Sequence, residues 1–273
     1  MWGQWFNHTP HIFIMKQIVY LTFGISIFLS IFIKTRLLCK SMLSIIIPTY
    51  NEEKYLPKLL NCIKKQNYAN YQIIVSDSNS KDKTRQIAEK YGCIIVNGGL
   101  PAVGRNNGAK IAKGVILLFL DADVQFCSNF ISKSIREFEE KNLDVAGCYV
   151  LPLGNNIIDK IFFGIFNLWT FTTQFFYPNA SGGGIFCRKW LHKKVNGFDE
   201  SIKLSEDMDY VKRCAKYGKF RILKSASTFI SMRRFEKEGR FKVGFKLLLS
   251  SIYRIFFGEI RSNIFKYNLR YRK

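Results

Sequence analysis

The chain has 273 residues, and 48% of them are hydrophobic, which is enough apolar side chain for a sizeable core and excludes a wholly disordered protein. Its 42 lysines and arginines outnumber its 20 acidic residues, and the resulting charge of +22 indicates a polyanionic partner. Nucleic acid, an anionic membrane surface and a phosphorylated substrate all fit, as does simple codon bias. Seven scattered cysteines without a Cys-x-x-Cys spacing argue against a disulfide framework or zinc ribbon.

The first 41 residues differ in composition from the rest. Residues 18–33 are apolar apart from a few small residues, and as a helix they would span roughly 24 Å, short of a bilayer core of about 30 Å. Basic residues follow this run, and they would hold everything downstream in the cytoplasm. Met42 precedes the first predicted strand directly, so residues 1–41 are interpreted either as a membrane anchor or as an over-called start.

From residue 43 onward, apolar β-branched runs alternate with segments of helical periodicity. Predicted strands cover residues 43–47, 71–76, 93–96 and 115–120, and predicted helices cover residues 53–65, 81–91 and 103–113. Later strands are predicted at residues 145–150, 185–188 and 221–224. Strands alternating with helices imply crossover connections, so the predicted fold class is α/β with a mainly parallel sheet flanked by helices.

Acidic side chains follow three of these strands. Glu52 comes shortly after the first strand, Asp77 after the second, and Asp121 and Asp123 after the fourth. Ligands of open parallel sheets bind outside the carboxyl ends of the strands, so these carboxylates are expected at one edge. Asp is also a common turn and cap residue, but three coincidences at one edge favour a ligand site.

The segment Asp121-Ala122-Asp123 has the pattern of a cation site. In an extended chain, side chains at i and i+2 point the same way, so both carboxylates can face one hard cation. Ala122 is small enough to let a ligand approach the backbone. The expected task of such a site is to neutralise a diphosphate leaving group. The histidines have no metal-ligand spacing, and His192 is expected on a polar helix face.

Two predicted helix starts add further candidates. Arg105, in the segment G-R-N-N-G-A, would place a cation beside exposed helix amides that suit a nucleotide phosphate. Glu206 and Asp207 begin a later helix after Ser205, and we interpret a carboxylate of this segment as a candidate catalytic base for sugar transfer. Acidic residues and a serine N-cap are also favoured at a helix start for local reasons, so that interpretation stays open.

Two aromatic segments complete the pattern. Residues 157–177 contain seven Phe and Trp residues with polar residues interspersed, which favours membrane contact or the wall of an acceptor site over a spanning helix. Residues 233–273 are basic, with apolar residues at helical spacing. That spacing predicts either an amphipathic helix on an anionic bilayer or an ordinary helix with a solvated basic face.

Taken together, these segments resemble the family-2 glycosyltransferases with the GT-A fold. The resemblance covers about residues 43–235 and rests on S-I-I-I-P-T-Y-N-E-E, I-I-V-S-D-S-N-S-K-D-K-T, G-R-N-N-G-A, L-F-L-D-A-D-V, V-N-G-F-D-E and S-E-D-M-D-Y, in this order. It implies a catalytic domain over residues 42–235, with a nucleotide-sugar half (42–124) and an acceptor half (125–235). A basic amphipathic segment would follow at residues 236–273.

The resemblance also implies a nucleotide-sugar donor, a divalent cation (Mg²⁺ or Mn²⁺) and inversion at the anomeric carbon. The residues it implies in donor binding are Pro48, Tyr50, Glu52, Asp77, Arg105, Asp121, Ala122 and Asp123. Among these, Asp121 and Asp123 would also hold the metal. Asp207, with Glu206 beside it, matches the family's catalytic base. Arg233 and Arg234 only distantly echo the Gln-x-x-Arg-Trp motif of processive members, so we expect a single addition, with either arginine as a diphosphate clamp.

Two alternatives come from other classes of protein. L-F-L-D-A-D-V also resembles the first motif of haloacid-dehalogenase-type phosphatases, although the earlier acidic loops would then have no role. A degenerate, non-catalytic protein that binds a membrane surface or polyanion would explain the charge. No nucleic-acid-binding motif is present, so no specific nucleic acid is expected. The predicted function is a cytoplasm-facing, membrane-associated, metal-dependent glycosyltransferase with a sugar or lipid-linked acceptor.

Overall fold

The computed structural model of the chain describes residues 41–262, 264 and 265. The candidate membrane anchor within residues 1–41, apart from Ser41, lies outside the described residues, and so does most of the chain after residue 262. None of the helices within the described part is both long and apolar enough to cross a bilayer.

The described residues contain eight strands in one mixed sheet. The strands are β1 (Leu43–Thr49), β2 (Tyr71–Asp77), β3 (Ile94–Asn97), β4 (Ile116–Phe119), β5 (Val124–Gln125), β6 (Val145–Leu153), β7 (Ile185–Arg188) and β8 (Phe220–Ser231). Their order across the sheet is β3-β2-β1-β4-β7-β6-β8-β5. The first four are mutually parallel, whereas β7 is antiparallel to both neighbours and β5 is antiparallel to β8. The prediction of an α/β fold is confirmed.

Helices cover both faces of this sheet. They are α1 (Leu56–Lys64), α2 (Thr84–Lys90), α3 (Pro101–Ile111), α4 (Phe130–Glu140), α5 (Ile157–Thr173), α6 (Lys189–Lys194), α7 (Glu206–Cys214), α8 (Arg233–Glu238) and α9 (Arg240–Phe257). All seven residues of β1 are buried because its side chains alternate between the two faces of the sheet and helices cover both faces. Ile45 joins the core with α1 and α4, and Ile46 joins the core with α3 and α7.

β1 and β8 are among the strands that extend beyond their predicted ends. β1 continues through Pro48 to Thr49. The nitrogen of Pro48 points to the side of β1 on which Ile46 accepts a hydrogen bond from Leu120, and β4 has already ended at that level. The missing N–H of Pro48 therefore breaks no ladder bond. β8 runs to Ser231 after a register shift opposite Cys148 and Tyr149, and so carries the chain to the edge of the sheet at which β1 ends.

The expectation for His192 is wrong. Its side chain is buried in α6, and its Nδ1 lies 2.9 Å from the hydroxyl of Tyr210. Burial lowers the pKa of His192 to about 4, with a smaller effect from Arg213. His192 is therefore a neutral core residue that supports α7 through Tyr210.

Candidate active site

The residues that follow β4, the end of β8 and the start of α7 line one cleft of about 290 Å³. This volume is near the lower end of the range for small-molecule sites. Its polar lining consists of Arg105, Asp121, Asp123, Ser181, Ser205, Glu206, Asp207, Ser231, Arg233 and Arg234. Phe162, Phe163 and Phe166 of α5, with Phe235 and Leu247, form an apolar wall. The cleft therefore combines a charged half with an aromatic half.

Arg105 joins the two acidic segments of the cleft. It is only 2% exposed, and it donates hydrogen bonds of 2.8 Å to Asp121 Oδ1 and 2.6 Å to Glu206 Oε1. Burial alone would lower the pKa of Arg105, but the charges of Asp121 and Glu206 raise it overall. The expectation of a cation at exposed helix amides is wrong, because α3 begins at Pro101 and Arg105 lies inside it. Arg105 instead fixes the start of α7 relative to the end of β4.

Asp207 is a carboxylate of the cleft with a raised pKa. Its Oδ2 accepts a 2.6 Å hydrogen bond from Gly182 N–H, and its Oδ1 accepts one of 2.8 Å from Met208 N–H. Burial, followed by the neighbouring Glu206 charge, raises its pKa to about 6. Glu206 is tied to Arg105, so the two adjacent acids differ in their surroundings. A carboxylate poised near neutral pH can accept a proton.

The expectation of a serine N-cap for α7 is wrong. Ser205 has a left-handed backbone (φ +63°), and its side chain makes no capping hydrogen bond. A non-glycine residue in this conformation is uncommon. Local capping therefore does not account for this helix start, whereas the Arg105 ion pair to Glu206 does help to fix it.

Gly182 is a site residue that the sequence analysis missed. A Cβ atom there would lie 2.6 Å from Arg105 Nη2 and 3.1 Å from Asp121 Oδ2, so any larger residue would displace the Arg105 guanidinium from its present position. Its N–H also holds Asp207. The run Gly182-Gly183-Gly184 directly before β7 is the signal that could have found it. Three successive glycines before a strand indicate a close backbone approach.

Arg233 is held against Glu52 and Asp123, whereas Arg234 pairs within its own helix. Arg233 pairs with both carboxylate oxygens of Glu52, at 2.8 and 2.9 Å, and lies 3.0 Å from Asp123 Oδ2. Its guanidinium also lies 4.3 Å from the ring centroid of Tyr55. Arg234 donates to Glu238 along its own helix. The two candidate clamp residues therefore have different partners.

The remaining candidates support the loops more than they face the cleft. Asp77 is buried and accepts hydrogen bonds from Thr49 (3.1 Å) and from the Ser80 hydroxyl (2.6 Å), which ties β1 to the loop after β2. Pro48 packs against α3 at Gly104, where an added Cβ would lie 3.1 Å away. Tyr50 is half-buried in the loop after β1.

Ala122 belongs to the core, whereas Asp121 and Asp123 both line the cleft. The side chain of Ala122 therefore points away from the ligand side, as expected between two residues that share a face. No group of three or more His, Cys, Asp or Glu residues in the described part could hold a metal by itself. Two hard oxygen ligands nevertheless suit a cation that takes its remaining ligands from substrate phosphates.

Comparisons with solved structures show the fold. The crystal structure of Staphylococcus aureus TarS 1-349 in complex with UDP-GlcNAc matches with a TM-score of 0.57 and 22% identity, over 84% of this chain and 77% of that one. Mannosyltransferase PcManGT from Pyrobaculum calidifontis, in complex with GDP-Man and Mn2+, matches with a TM-score of 0.65 and 17% identity, over 79% and 64%. The fold is that of the GT-A transferases.

Sequence comparison gives the family. The model described as Glycosyl transferase family 2 matches residues 44–197, more than half of the chain, so the chain belongs to glycosyl transferase family 2. The expected family is confirmed, and the phosphatase alternative is set aside.

Curated relatives match over shorter stretches. Poly(ribitol-phosphate) beta-N-acetylglucosaminyltransferase TarS of Staphylococcus aureus is 35% identical over 112 residues, which are 37% of this chain and 20% of TarS. GalNAc(5)-diNAcBac-PP-undecaprenol beta-1,3-glucosyltransferase of Campylobacter jejuni is 32% identical over 123 residues, 41% of this chain and 40% of that protein. The chain thus matches less than half the length of either relative.

Proposed function

We propose that the chain is an inverting glycosyltransferase that moves one sugar from a nucleotide-diphospho-sugar to an acceptor hydroxyl, with Asp207 as the base. The observation that carries this proposal is the Asp207 carboxylate, held at the cleft by Gly182 N–H 2.6 Å away. Its pKa of about 6 leaves it ionised at neutral pH yet basic enough to accept a proton. The family membership supplies the reaction class.

On this proposal, the step needs no covalent enzyme intermediate. Asp207 accepts the proton of the acceptor hydroxyl while the hydroxyl oxygen bonds to the anomeric carbon. The bond from that carbon to the diphosphate oxygen breaks, and its electron pair leaves with the nucleoside diphosphate. Attack from the face opposite the leaving group inverts the configuration. Glu206 stays with Arg105 and positions α7, so we assign it a supporting role.

We propose that the part of the cleft around Asp121, Asp123 and Arg233 binds the donor and neutralises the negative charge of its diphosphate. Asp121 and Asp123 would hold Mg²⁺ or Mn²⁺, which when bound supplies positive charge to the leaving group. Arg233 is the better clamp candidate, because its guanidinium already lies at Asp123. Glu52 would act by orienting Arg233, and Asp77 by bracing the loop that faces the nucleoside. Pro48, Tyr50 and Ala122 would shape the same side without supplying charge.

The acceptor side is proposed to bind a sugar on a lipid or cell-surface carrier, next to the aromatic wall of the cleft. The Campylobacter relative's name describes an undecaprenol-linked acceptor, which supports this carrier class for the present chain. Processive members have a Gln-x-x-Arg-Trp motif, which Arg233 and Arg234 match only distantly, and we therefore propose a single addition. Membrane association and a cytoplasmic catalytic domain are part of the same proposal, from the basic residues after the apolar N-terminal run.

Turnover with a panel of nucleotide sugars tests the proposal. Release of a nucleoside diphosphate that depends on an acceptor, with a product of inverted anomeric configuration by NMR, is the expected result. A product that retains the donor configuration, or phosphate release from simple phosphate esters without an acceptor, would contradict it.

A further inference from the structure

The outward faces of α5 and α9 are apolar, which is unusual for surface helices. The exposed apolar side chains of α9 include Phe241, Phe245, Leu248, Ile252, Ile255 and Phe256, and their spacing places these six along one stripe. The residues that α9 buries against the domain are Val243, Ser250 and Arg254. Surface helices normally expose polar side chains and bury apolar ones, so this exposed apolar stripe indicates an interaction surface.

The α5 helix also exposes apolar side chains and buries polar ones. Its exposed side chains include Ile158, Ile161, Ile165 and Leu168, each at least 43% exposed. Its buried residues are Asp159, Phe163, Thr170 and Thr173, three of which are polar. Asn167 also exchanges hydrogen bonds with the backbone of Val150, at 3.0 and 2.7 Å, which fixes the rotation of the helix. The apolar face is therefore held outward by polar contacts beneath it.

The two helices form one surface, which we call the α5–α9 surface and define by the ten exposed residues just named. Arg240 donates a 2.9 Å hydrogen bond to Asp159, so the first turns of α5 and α9 are joined. Gly244 lies against the Phe162 ring, where a Cβ would approach within 3.1 Å. The neighbouring Phe162, Phe166 and Leu247 also line the cleft that contains Asp207. The acceptor half of the cleft is therefore bounded by the same two helices.

The charge around the α5–α9 surface is positive. Helix α9 contains four basic residues and no acidic one. Arg240 pairs with Asp159, the single and buried acid of α5, and the buried Arg254 pairs with Glu259, whereas Lys242 and Lys246 lie outside these two ion pairs. Beyond the C-terminal end of α5, the Arg221 guanidinium lies 4.3 Å from the ring centroid of Phe175, and Lys212 Nζ lies 6.0 Å from that of Tyr177. Aromatic residues flanked by cations suit the headgroup region of an anionic bilayer.

We propose that the α5–α9 surface docks on an anionic bilayer and that the cleft takes its acceptor hydroxyl from a lipid-linked sugar in that bilayer. The second part rests on the proposed transferase function, and the docking does not. The helices would lie in the interface, since neither is a spanning helix. The other candidate occupants, residues 1–40 of the same chain and a second copy of the chain, are outcomes of the test.

Photo-crosslinking of the full chain locates the contact without depending on other membrane anchors. The probe is a vesicle of phosphatidylcholine and phosphatidylglycerol that contains a photoactivatable lipid, with adducts mapped by mass spectrometry. We expect adducts on peptides from α5 and α9 and none on the peptide with Ile111 and Val115, two exposed apolar residues elsewhere in the domain. Adducts confined to residues 1–40, or α9 cross-linked to those residues or to a second copy, would overturn the docking.

A matched pair of variants tests the link to the acceptor. In Ile165→Ser/Phe245→Ser/Ile252→Ser, transfer to a polyprenyl-diphosphate-linked sugar in the same vesicles should fall at least about tenfold. Transfer to the corresponding water-soluble glycoside should be unchanged, and Ile111→Ser/Val115→Ser should leave both unchanged. Equal transfer to the lipid-linked sugar by wild type and the triple variant would overturn the acceptor proposal. If wild type transfers to neither acceptor while the α5 and α9 adducts form, the transferase function fails and the docking stands.

Discussion

Arg233 donates two hydrogen bonds, of 2.8 and 2.9 Å, to the two carboxylate oxygens of Glu52, which lies 181 residues earlier in the chain. The Glu52 side chain is fully buried, so this pair compensates a charge that would otherwise be costly. The contact ties α8 to the loop after β1 and places the same guanidinium 3.0 Å from Asp123. One guanidinium therefore joins α8, the loop after β1 and the segment after β4.

Arg233→Lys should weaken donor use by about ten- to a hundredfold in kcat/KM for the nucleotide sugar. Lysine keeps the charge but loses the paired hydrogen bonds, each of which is charge-assisted. The matched control is Arg234→Lys, because Arg234 is the neighbouring arginine and donates to Glu238 along its own helix. Steady-state kinetics at varied donor concentration measure the difference, and similar effects of the two substitutions would count against the assignment of Arg233.

Asp207→Asn should lower kcat by about 10²- to 10⁴-fold, the usual contribution of a positioned base. Asparagine can still accept a hydrogen bond from Gly182 N–H, so donor affinity should stay within about twofold of wild type. Asp199→Asn is the control, because Asp199 pairs with Arg261 and is not among the residues lining the cleft. Turnover of Asp207→Asn near the wild-type level, with binding intact, would show that another group removes the proton.

The rate should depend on pH through Asp207. Because its pKa is raised to about 6, the base becomes protonated as the pH falls through 6, and kcat should drop about tenfold for each further unit. The measurement is kcat at saturating substrates between about pH 5 and 8. A rate that stays constant down to pH 5 would contradict this assignment.

The same raised pKa has a consequence for stability. The folded state holds the Asp207 proton more tightly than the unfolded state, so this group's contribution to stability is present at low pH and is lost as pH rises through about 6. Asp207→Asn should therefore gain thermal stability relative to wild type between about pH 4 and 7, by a few degrees. Thermal unfolding of both proteins across that range measures the gain.

Gly182→Ala should lower activity at least about tenfold, because the added Cβ would overlap Arg105 and displace the N–H that holds Asp207. The Gly182 hydrogen bond lowers the pKa of Asp207, so its loss should raise that pKa and move the acid limb of the pH profile to higher pH. The control is Gly164→Ala in α5, where an added Cβ meets nothing within 4 Å. That change should be neutral or stabilise by about 0.5–1 kcal/mol. An unshifted pH profile in Gly182→Ala would argue against the positioning role.

The fold could be predicted where local pattern and tertiary structure agree. The apolar runs of β1, β2 and β4 are buried on both faces, so their hydrophobic continuity shows directly in the sequence. β8 was predicted too short because Lys224-Ser225-Ala226-Ser227 interrupts its apolar pattern, near the point where its register with β6 shifts. A bulge of this kind depends on the neighbouring strand and leaves little trace in the sequence.

The candidate site could be predicted only in part for a similar reason. Asp121, Asp123 and Asp77 follow their strands directly, and the shared edge of a parallel sheet brings such residues together. The partners of Arg105 and Arg233 could not be predicted, since Glu206 and Glu52 lie 101 and 181 residues away along the chain. Arg105 was expected beside exposed amides at a helix start, but it is buried inside α3 and pairs with two acidic residues.

The most direct test of the account is calorimetric binding of a panel of nucleotide sugars to the full chain, with and without Mn²⁺, for wild type and Asp123→Asn. The account predicts that one donor binds, that Mn²⁺ strengthens its binding at least about tenfold, and that Asp123→Asn removes the Mn²⁺ effect. Absence of binding by folded protein across the whole panel, or binding that neither Mn²⁺ nor the substitution alters, would contradict it.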